Sequence, residues 1–293
     1  MLLRKHKFNG AWPALVTPLD PDGKVNTSVI KDLVDYLLDK KVGGFYLCGA
    51  TGQGIFLSVP ERKRVLETVT HHIQDRVPVI VHTGSMVMHD AIDLTRHACE
   101  NGASGISSII PPLYKGDSVY SYFEAVANAA QDLPLLPYLY GAGEGLLHEL
   151  KQIPNVIGTK YTGPDMDELK RIIDIGGDEW SVFSGMDEHC IFCLMMGVSG
   201  NVGSSVNVLA GSYKKIHEYC ASGNYDKGVA LQLKINEVIN IFKFYGYHGA
   251  LKEALRLLGM DCGIPAPPGL PVTKDRVKEL HTKLDAIDFM SLA

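Results

Sequence analysis

The chain has no long hydrophobic run, and this absence limits the kinds of protein it can be. No segment approaches the ~20 consecutive apolar residues that a transmembrane helix needs. Charged residues follow directly after the first three residues, so we expect no secretory signal peptide in residues 1–7 and no membrane partner. With 46% hydrophobic and 21% charged residues, the composition is typical of a soluble globular protein with a sizeable core.

Basic clusters and metal-binding motifs are also missing. The formal net charge is -5, and no basic run or basic-aromatic stripe occurs, so we expect no nucleic-acid partner. The 11 histidines show neither His-x-x-His nor His-x-x-x-His spacing. The sequence therefore predicts neither a metal site nor a bound cofactor, and any chemistry must come from its own side chains.

The six cysteines are scattered along the chain and do not form a disulfide pattern. Cys190 and Cys193 have the C-x-x-C spacing of some zinc sites, but they lie in the apolar run 189–196 and no second pair follows. Packing in the core is therefore favoured over metal binding. Scattered thiols in a chain of this length predict a reducing compartment, and we expect a cytoplasmic protein.

What the sequence does contain is one unit repeated eight times: a short apolar run, a polar or glycine-rich turn, and an amphipathic stretch. Continuous apolar runs are typical of parallel strands buried on both faces. The runs span residues 12–17, 44–48, 77–82, 105–110, 133–138, 156–160, 180–184 and 199–204. Eight such units predict a (β/α)8 TIM barrel, an α/β fold. A doubly wound sheet is the alternative, but the turn at residues 18–23 is not a glycine-rich phosphate loop.

The alternation stops near residue 221. Residues 224–245, 249–260 and 273–286 have helical patterns, and no strand pattern separates them. The sequence therefore predicts a catalytic barrel over residues 1–220 and a C-terminal helical extension over residues 221–293.

Lys160 ends the sixth apolar run, at the carboxyl end of a predicted buried strand. A buried amine loses solvation, so its pKa falls and it becomes a nucleophile near neutral pH. The alternatives are a lysine that extends to solvent or pairs with a carboxylate. Ligands of such barrels bind at the carboxyl ends of the strands. The other candidate site residues at these ends are Ala50, Thr51, Tyr114, Tyr138, Thr162, Gly185, Asp187, Glu188 and Ser204.

A lysine nucleophile without a metal indicates Schiff-base chemistry on a ketone, which also needs a proton shuttle. Tyr138 ends the adjacent fifth strand, so its phenol is expected to face the amine; a core tyrosine bonded to backbone is the alternative. The glycine-rich turn at residues 49–54 is suited to bind a carboxylate through backbone N–H groups and the Thr51 hydroxyl. A plain strand-to-helix turn is the alternative there.

Two acidic residues, Asp187 and Glu188, follow the seventh strand. Carboxylates repel phosphate but accept hydrogen bonds well from sugar hydroxyls. Acidic residues also favour the first turn of a helix, and the two roles are compatible if one residue caps and the other binds. Ser204 adds a hydroxyl to the same mouth, although glycine-serine turns are common without any function.

In this order the residues resemble the N-acetylneuraminate lyase and dihydrodipicolinate synthase superfamily of class I pyruvate-dependent aldolases. The resemblance covers nearly the whole chain, and its most specific parts are residues 49–54, Tyr138 and residues 158–160. It implies that Lys160 forms an imine with a 2-keto acid, that Tyr138 shuttles protons and that Thr51 holds the keto-acid carboxylate. It also implies a homotetramer in which Tyr114 reaches into a neighbouring subunit's site.

Within the superfamily, residues 183–188 and 203–207 resemble the lyase branch, whose glycine and acidic pair bind the polyol tail of sialic acid. The synthase branch carries an arginine shortly after the strand-five tyrosine, and residues 139–145 contain none.

Three departures from the family pattern affect the expected site. Ala50 replaces the serine or threonine that bonds to the catalytic tyrosine, and it cannot relay a proton. Gln53 stands where glutamate is usual, and residues 139–141 replace the common Asn-x-Pro.

These features predict a lyase that cleaves a 2-keto-3-deoxy sugar acid to pyruvate and an aldehyde, with N-acetylneuraminate as the leading substrate and N-acetylmannosamine as the aldehyde. Thr162, Gly185 and Ser204 would join the acidic pair around the tail. One alternative is a related aldolase or dehydratase on a shorter acid such as 2-keto-3-deoxygluconate, with Glu144 or Tyr140 shaping specificity. A dihydrodipicolinate synthase-like enzyme and a catalytically weakened homologue that only binds keto acids are the others.

Overall fold

The computed structural model describes residues 8–140 and 144–293. Residues 1–7 and 141–143, and the side chain of Glu144, lie outside this description. Within the described residues, eight parallel strands form a TIM barrel. They are β1 (Gly10–Pro13), β2 (Phe45–Leu47), β3 (Val79–His82), β4 (Gly105–Ile109), β5 (Leu135–Tyr140), β6 (Gly158–Thr162), β7 (Ser181–Ser184) and β8 (Gly200–Gly203). The predicted fold class is therefore confirmed.

The barrel closes between its first two strands. Each strand from β2 to β8 pairs in parallel with the next, and β8 pairs with β1. The last gap is closed by a bridge between Ala14 and Tyr46, where the Leu15 N–H donates to the Tyr46 carbonyl at 2.8 Å. The doubly wound alternative is wrong, because such a sheet stays open and reverses its strand order at a switch point.

A helix follows each strand in the described residues. These are α1 (Thr27–Asp39), α2 (Val59–Ile73), α3 (Met88–Glu100), α4 (Asp117–Ala130), α5 (Glu144–Leu150), α6 (Met166–Gly176), α7 (Cys190–Met196) and α8 (Val206–Ala221). Three helix starts are capped by side chains: Asn26, Ser58 and Asp165 each accept a hydrogen bond from a backbone N–H of the first turn. Such caps satisfy N–H groups that have no partner within the helix.

After α8 the chain is helical. The further helices are α9 (Tyr225–Tyr245), α10 (Tyr247–Leu257), α11 (Lys274–Ala286) and α12 (Phe289–Leu292). No described helix is long and apolar enough to cross a membrane. We retain as a proposal the division into a barrel over residues 1–220 and an extension over residues 221–293, and the order of these elements supports it.

Apolar side chains fill the lower interior of the barrel. This inner cluster contains Phe8, Trp12, Ala14, Tyr46, Ile80, Leu136, Phe183 and Val202. At its centre the rings of Trp12 and Phe183 meet edge to face, with centroids 5.3 Å apart. A larger apolar layer packs the helices onto the strands. Because the base of the barrel is filled, polar side chains that point inward are displaced toward the carboxyl ends of the strands.

The extension is attached to the barrel through buried polar groups. The Lys252 ammonium group on α10 donates to the carbonyls of Thr17, Cys262 and Ile264 at 3.0, 3.0 and 2.8 Å. The Gln53 amide accepts from the Ala266 N–H at 2.8 Å and donates to the Ala266 carbonyl at 3.0 Å. Gln53 therefore joins the turn after β2 to the proline-rich loop between α10 and α11.

Replacing Gln53 by the glutamate that is usual in the family should destabilise this chain. The carboxylate can still accept from the Ala266 N–H, but its second oxygen would face a carbonyl with no donor between them. We expect the free energy of unfolding in urea to fall by about 1–3 kcal/mol. Gln152→Glu, at an exposed position, is the control and should change it by less than about 0.5 kcal/mol. Equal effects of the two substitutions would contradict the explanation.

Candidate active site

The pairing of β5 with β6 places Tyr138 beside Lys160, since their Cα atoms are direct partners in the sheet. Lys160 Nζ lies 4.4 Å from the centroid of the Tyr138 ring and 4.4 Å from that of the Tyr46 ring. An ammonium group is attracted to an aromatic face, so the two rings hold the amine from two sides. The Lys160 side chain is therefore fixed in the barrel interior, with the residue only 5% exposed.

Burial changes the acidity of this amine. Loss of solvation lowers the pKa of Lys160 to about 8, and the charge of Asp187 opposes the shift. None of the ion pairs between described residues includes Lys160. The side chain neither extends to solvent nor pairs with a carboxylate, and roughly one amine in ten is neutral at pH 7. Such a partly neutral amine can act as a nucleophile near physiological pH.

Tyr138 is one of the two tyrosines whose rings lie against the amine. Burial raises the pKa of its phenol, and the neighbouring Thr162 hydroxyl opposes this rise. Thr162 Oγ1 is buried and forms no hydrogen bond of full geometry with the described residues, so it remains available to a ligand. The phenol is protonated at neutral pH and is suited to act as an acid.

Gly185 makes the close packing around Lys160 and Thr162 possible. A Cβ at this position would lie 1.8 Å from Thr162 Oγ1 and 3.0 Å from Lys160 Cε. Its backbone N–H donates to the Tyr161 carbonyl at 2.7 Å, which holds the segment after β7 against the end of β6. Only glycine fits between these groups without moving them.

The turn after β2 meets the end of β8 through two hydroxyl groups. Thr51 Oγ1 and Ser204 Oγ are 2.6 Å apart, and both residues belong to the predicted set. The N–H groups of Gln53 and Gly54 donate within the turn, to Ala50 and Gly49, so they do not face a ligand. The predicted anion binding by this turn would therefore depend on the Thr51 hydroxyl more than on these two N–H groups.

Asp187 is a buried carboxylate with one free oxygen. Its Oδ2 accepts from the N–H and the hydroxyl of Ser205 at 2.7 and 2.8 Å, at the start of α8. Its Oδ1 is buried and has no hydrogen-bond partner among the described residues. Burial raises the pKa of Asp187 to about 6, and the bonds from Ser205 oppose this shift. One oxygen holds the fold while the other can accept from a ligand.

Glu188 lies farther out. One of its carboxylate oxygens is 2.5 Å from Lys243 Nζ, and its backbone carbonyl accepts from the Asn236 amide at 3.2 Å. Both partners belong to α9 of the extension. The two acidic residues therefore have different surroundings, since Asp187 faces the barrel and Glu188 faces the extension.

Two predicted site residues, Tyr114 and Ala50, have their contacts elsewhere in this chain. The Tyr114 ring packs edge to face on the Tyr122 ring of α4, with centroids 5.7 Å apart. No contact within the described part of this chain joins Tyr114 to Lys160, so any role at the amine requires another subunit. Ala50 is exposed, and its carbonyl accepts a hydrogen bond from His248 Nε2 at 3.3 Å.

Several residues of the site were not predicted from the sequence. Tyr46 donates to the Ser107 hydroxyl at 3.0 Å, and strand alternation could have placed its ring in the interior. His82, also interior, is kept neutral because burial, Arg62 and Lys160 lower its pKa. Tyr247 lies close to Asp187 and Glu188, and burial and these charges raise its pKa well above the usual value. No local pattern indicates that Tyr247, on α10, reaches the barrel mouth.

No group of three or more histidine, cysteine, aspartate or glutamate side chains that could hold a metal ion occurs in residues 8–140 and 144–293. At the carboxyl ends of the strands, the described side chains provide a partly neutral amine, a protonated phenol, several hydroxyl groups and a carboxylate oxygen without a partner.

Comparison with known proteins shows the family. The model of the Dihydrodipicolinate synthetase family matches residues 7–287, so the chain belongs to this family. It is 31% identical over 300 residues to an N-acetylneuraminate lyase of Danio rerio, with 97% of this chain and 98% of that protein covered. It is 29% identical over 294 residues to a 4-hydroxy-tetrahydrodipicolinate synthase of Prochlorococcus marinus, with coverages of 98% and 97%.

The fold agrees with solved structures of such proteins. The structure of Proteus mirabilis N-acetylneuraminate lyase matches with a TM-score of 0.91 at 32% sequence identity, covering 97% of this chain and 99% of that chain. The family resemblance inferred from the sequence is therefore confirmed.

Gly185→Ala should disable the site while leaving the fold intact. The added methyl group must displace Thr162 Oγ1 or Lys160 Cε, and a shift of about 1 Å costs roughly 100-fold in rate. Borohydride trapping of pyruvate on Lys160 measures the loss, and the melting temperature verifies folding. Gly145→Ala is the control, because a Cβ there meets nothing within 4 Å. Undiminished trapping in Gly185→Ala would show that the packing tolerates a side chain.

Proposed function

We propose that this chain is a class I aldolase that cleaves N-acetylneuraminate to pyruvate and N-acetylmannosamine. The observation that carries the proposal is the Lys160 amine, buried between two tyrosine rings, with a pKa of about 8. Family membership and the lyases among its relatives support the broader class, and the chain is an enzyme of the carbon–carbon lyase type acting through pyruvate. N-acetylneuraminate as substrate is the finer part of the proposal.

The reaction begins when neutral Lys160 Nζ attacks the C2 carbonyl of the keto acid. The carbinolamine loses water to give a protonated imine, which withdraws electrons from C3. As water leaves, the Tyr138 phenol donates its proton to the departing hydroxyl of the carbinolamine. The phenolate so formed takes the proton from the C4 hydroxyl, the C3–C4 bond breaks, and the aldehyde leaves. The bonding electrons form an enamine, which regains a proton at C3. Water then hydrolyses the imine and releases pyruvate and the free amine.

The remaining predicted residues bind the substrate. The Thr51 hydroxyl, fixed by Ser204 at 2.6 Å, holds the keto-acid carboxylate. The free hydroxyl of Thr162 lies beside Gly185 and contacts the substrate near the reacting carbons. The free oxygen of Asp187 accepts from a tail hydroxyl, and Glu188 does so farther out. A buried acceptor without a partner favours a ligand that supplies a donor.

The structure also offers two observations in favour of a shorter substrate such as 2-keto-3-deoxygluconate. Glu188 already holds an ion pair with Lys243, so one of the two tail acceptors is partly engaged. In addition, Tyr140 at the end of β5 is exposed and can form a different substrate wall.

Assembly and location complete the proposal. Large apolar side chains are exposed in successive loops at the barrel mouth, and contiguous apolar surface favours contact with another protein. They include Ile55, Phe56, Met86, Val87 and Leu113. We infer a homotetramer in which Tyr114 from one subunit reaches a neighbouring site. All six cysteines are free, which supports a cytoplasmic location.

Pyruvate should be trapped on Lys160 by borohydride, and the rate should depend on pH in a defined way. Because the pKa is lowered to about 8, the neutral amine accumulates as pH rises through 8, and the rate should level off soon above it. Tyr138 keeps its proton over this range, since burial raises its pKa.

Timed quenching into borohydride followed by peptide mass mapping gives both the position and the rate. Lys160→Met should form no adduct, while Lys151→Met, at an exposed position, should behave as the wild type. The absence of any adduct would remove the Schiff-base mechanism. A rate that still rises near pH 10 would show that the pKa of Lys160 is not lowered.

Pyruvate release should be faster from N-acetylneuraminate than from 2-keto-3-deoxygluconate, as measured by coupled reduction of pyruvate. Asp187→Asn keeps the shape but weakens the acceptor, so kcat/KM should fall about 10-fold for the long substrate and less than about twofold for the short one. Asp174→Asn, on the exposed side of α6, is the control. If the long substrate is no faster than the short one in the wild type, the sialic acid assignment must be abandoned.

A further inference from the structure

Glu188 has a cationic partner that the sequence did not indicate. Lys243, near the end of α9, places its Nζ 2.5 Å from Glu188 Oε1. The side chain of Lys243 is 55% exposed and that of Glu188 is 24% exposed, so water and ligands can reach the pair. An ion pair this exposed contributes little to stability, about 0–1 kcal/mol. A contribution to the stability of the fold is therefore a weak explanation for the presence of this ion pair.

Four charged groups of the site follow one another in space, starting from the Lys160 amine and running outward. Lys160 is influenced by the charge of Asp187, and Asp187 in turn by that of Glu188. Glu188 contacts Lys243, the outermost of the four. A substrate bound to Lys160 at C2 with its tail along Asp187 would therefore bring its far end to Glu188 and Lys243.

Helix α9 is held against this part of the site by two further side chains. The Gln232 amide donates to the Asp187 carbonyl at 2.9 Å, and the Asn236 amide donates to the Glu188 carbonyl at 3.2 Å. Gln232, Asn236 and Lys243 are spaced by four and seven residues, so they share one face of the helix. The face that carries Lys243 is thus the one directed at the segment after β7.

The pair has unused hydrogen-bonding capacity of both kinds. An ammonium group has three donors and Glu188 takes one of them, while the carboxylate keeps lone pairs on its second oxygen. Donors and acceptors at adjacent positions match a chain of hydroxyl groups, each of which both donates and accepts. An acyl oxygen would also accept from the ammonium group.

We propose that Lys243 is a specificity-determining residue that acts with Glu188 to bind oxygen atoms at the far end of an extended, hydroxylated keto acid. This inference rests on the proposed function, because it requires the keto acid to be held as an imine on Lys160. On this proposal the ion pair does not remove Glu188 from substrate binding, because the carboxylate and its ammonium partner act as one binding element for a long substrate.

The test compares two substrates in variants of Lys243. Lys243→Met should lower kcat/KM for N-acetylneuraminate about 10-fold, mainly through KM, because one charge-assisted hydrogen bond is lost. For 2-keto-3-deoxygluconate it should change less than about twofold, since that chain ends short of the pair. Lys243→Arg should keep most of the selectivity, because it preserves the charge and the donors. Lys234→Met, exposed on the same helix, is the matched control for loss of one charge.

Borohydride trapping of pyruvate, done on the same variants, separates the two proposals. No adduct in the wild type would overturn the proposed function, and this inference with it. Normal trapping with an unchanged ratio of the two substrates in Lys243→Met would overturn the inference alone. An equal fall for both substrates, or the same change in Lys234→Met, would also overturn it. Wild-type activity on the short acid only would overturn the inference together with the sialic acid assignment.

Discussion

The desolvation of one amine is the constraint on which the rest of the site depends. Lys160 must be kept from water to be neutral near physiological pH, yet an adjacent carboxylate would restore its charge. The barrel keeps Lys160 from water, because two tyrosine rings lie against Nζ. It also keeps the nearest carboxylate from pairing with the amine, because Asp187 Oδ2 accepts hydrogen bonds from Ser205 instead. Asp187 therefore influences the amine from a distance and opposes the lowered pKa only in part.

The register of the barrel strands and the C-terminal extension each form a different part of the opening above Lys160. The register of β5 on β6 sets Tyr138 against Lys160, and the absence of a side chain at residue 185 lets Thr162 approach both. The extension forms the outer wall, where Lys243 contacts Glu188 and the residues that open α10 approach the ends of β2 and β8. On the proposed function, the extension would contribute to substrate choice without carrying any reacting group.

The departures from the family pattern have different physical consequences. Gln53 is used by the fold, because only an amide both donates to and accepts from the backbone of Ala266. Ala50 presents a methyl group at the mouth, so the expected hydroxyl is missing beside the turn. A hydroxyl does neighbour the Tyr138 phenol, but it belongs to Thr162 on β6. The surroundings of Tyr138, the proposed proton shuttle, are therefore changed, while the pairing of β5 with β6 still sets it beside Lys160.

The sequence by itself determined the fold class, the helix starts and the identity of Lys160, Tyr138 and Thr51 as site candidates. It did so because strand and helix periods, caps and family motifs are local patterns, and strand order then brings the carboxyl ends together. Only the tertiary structure decided the partners: Lys243 for Glu188, Ala266 for Gln53 and the ring of Tyr46 for the amine. Such pairs join elements far apart in the chain, and the packing of helices and loops on the barrel, which no local period encodes, sets their contacts.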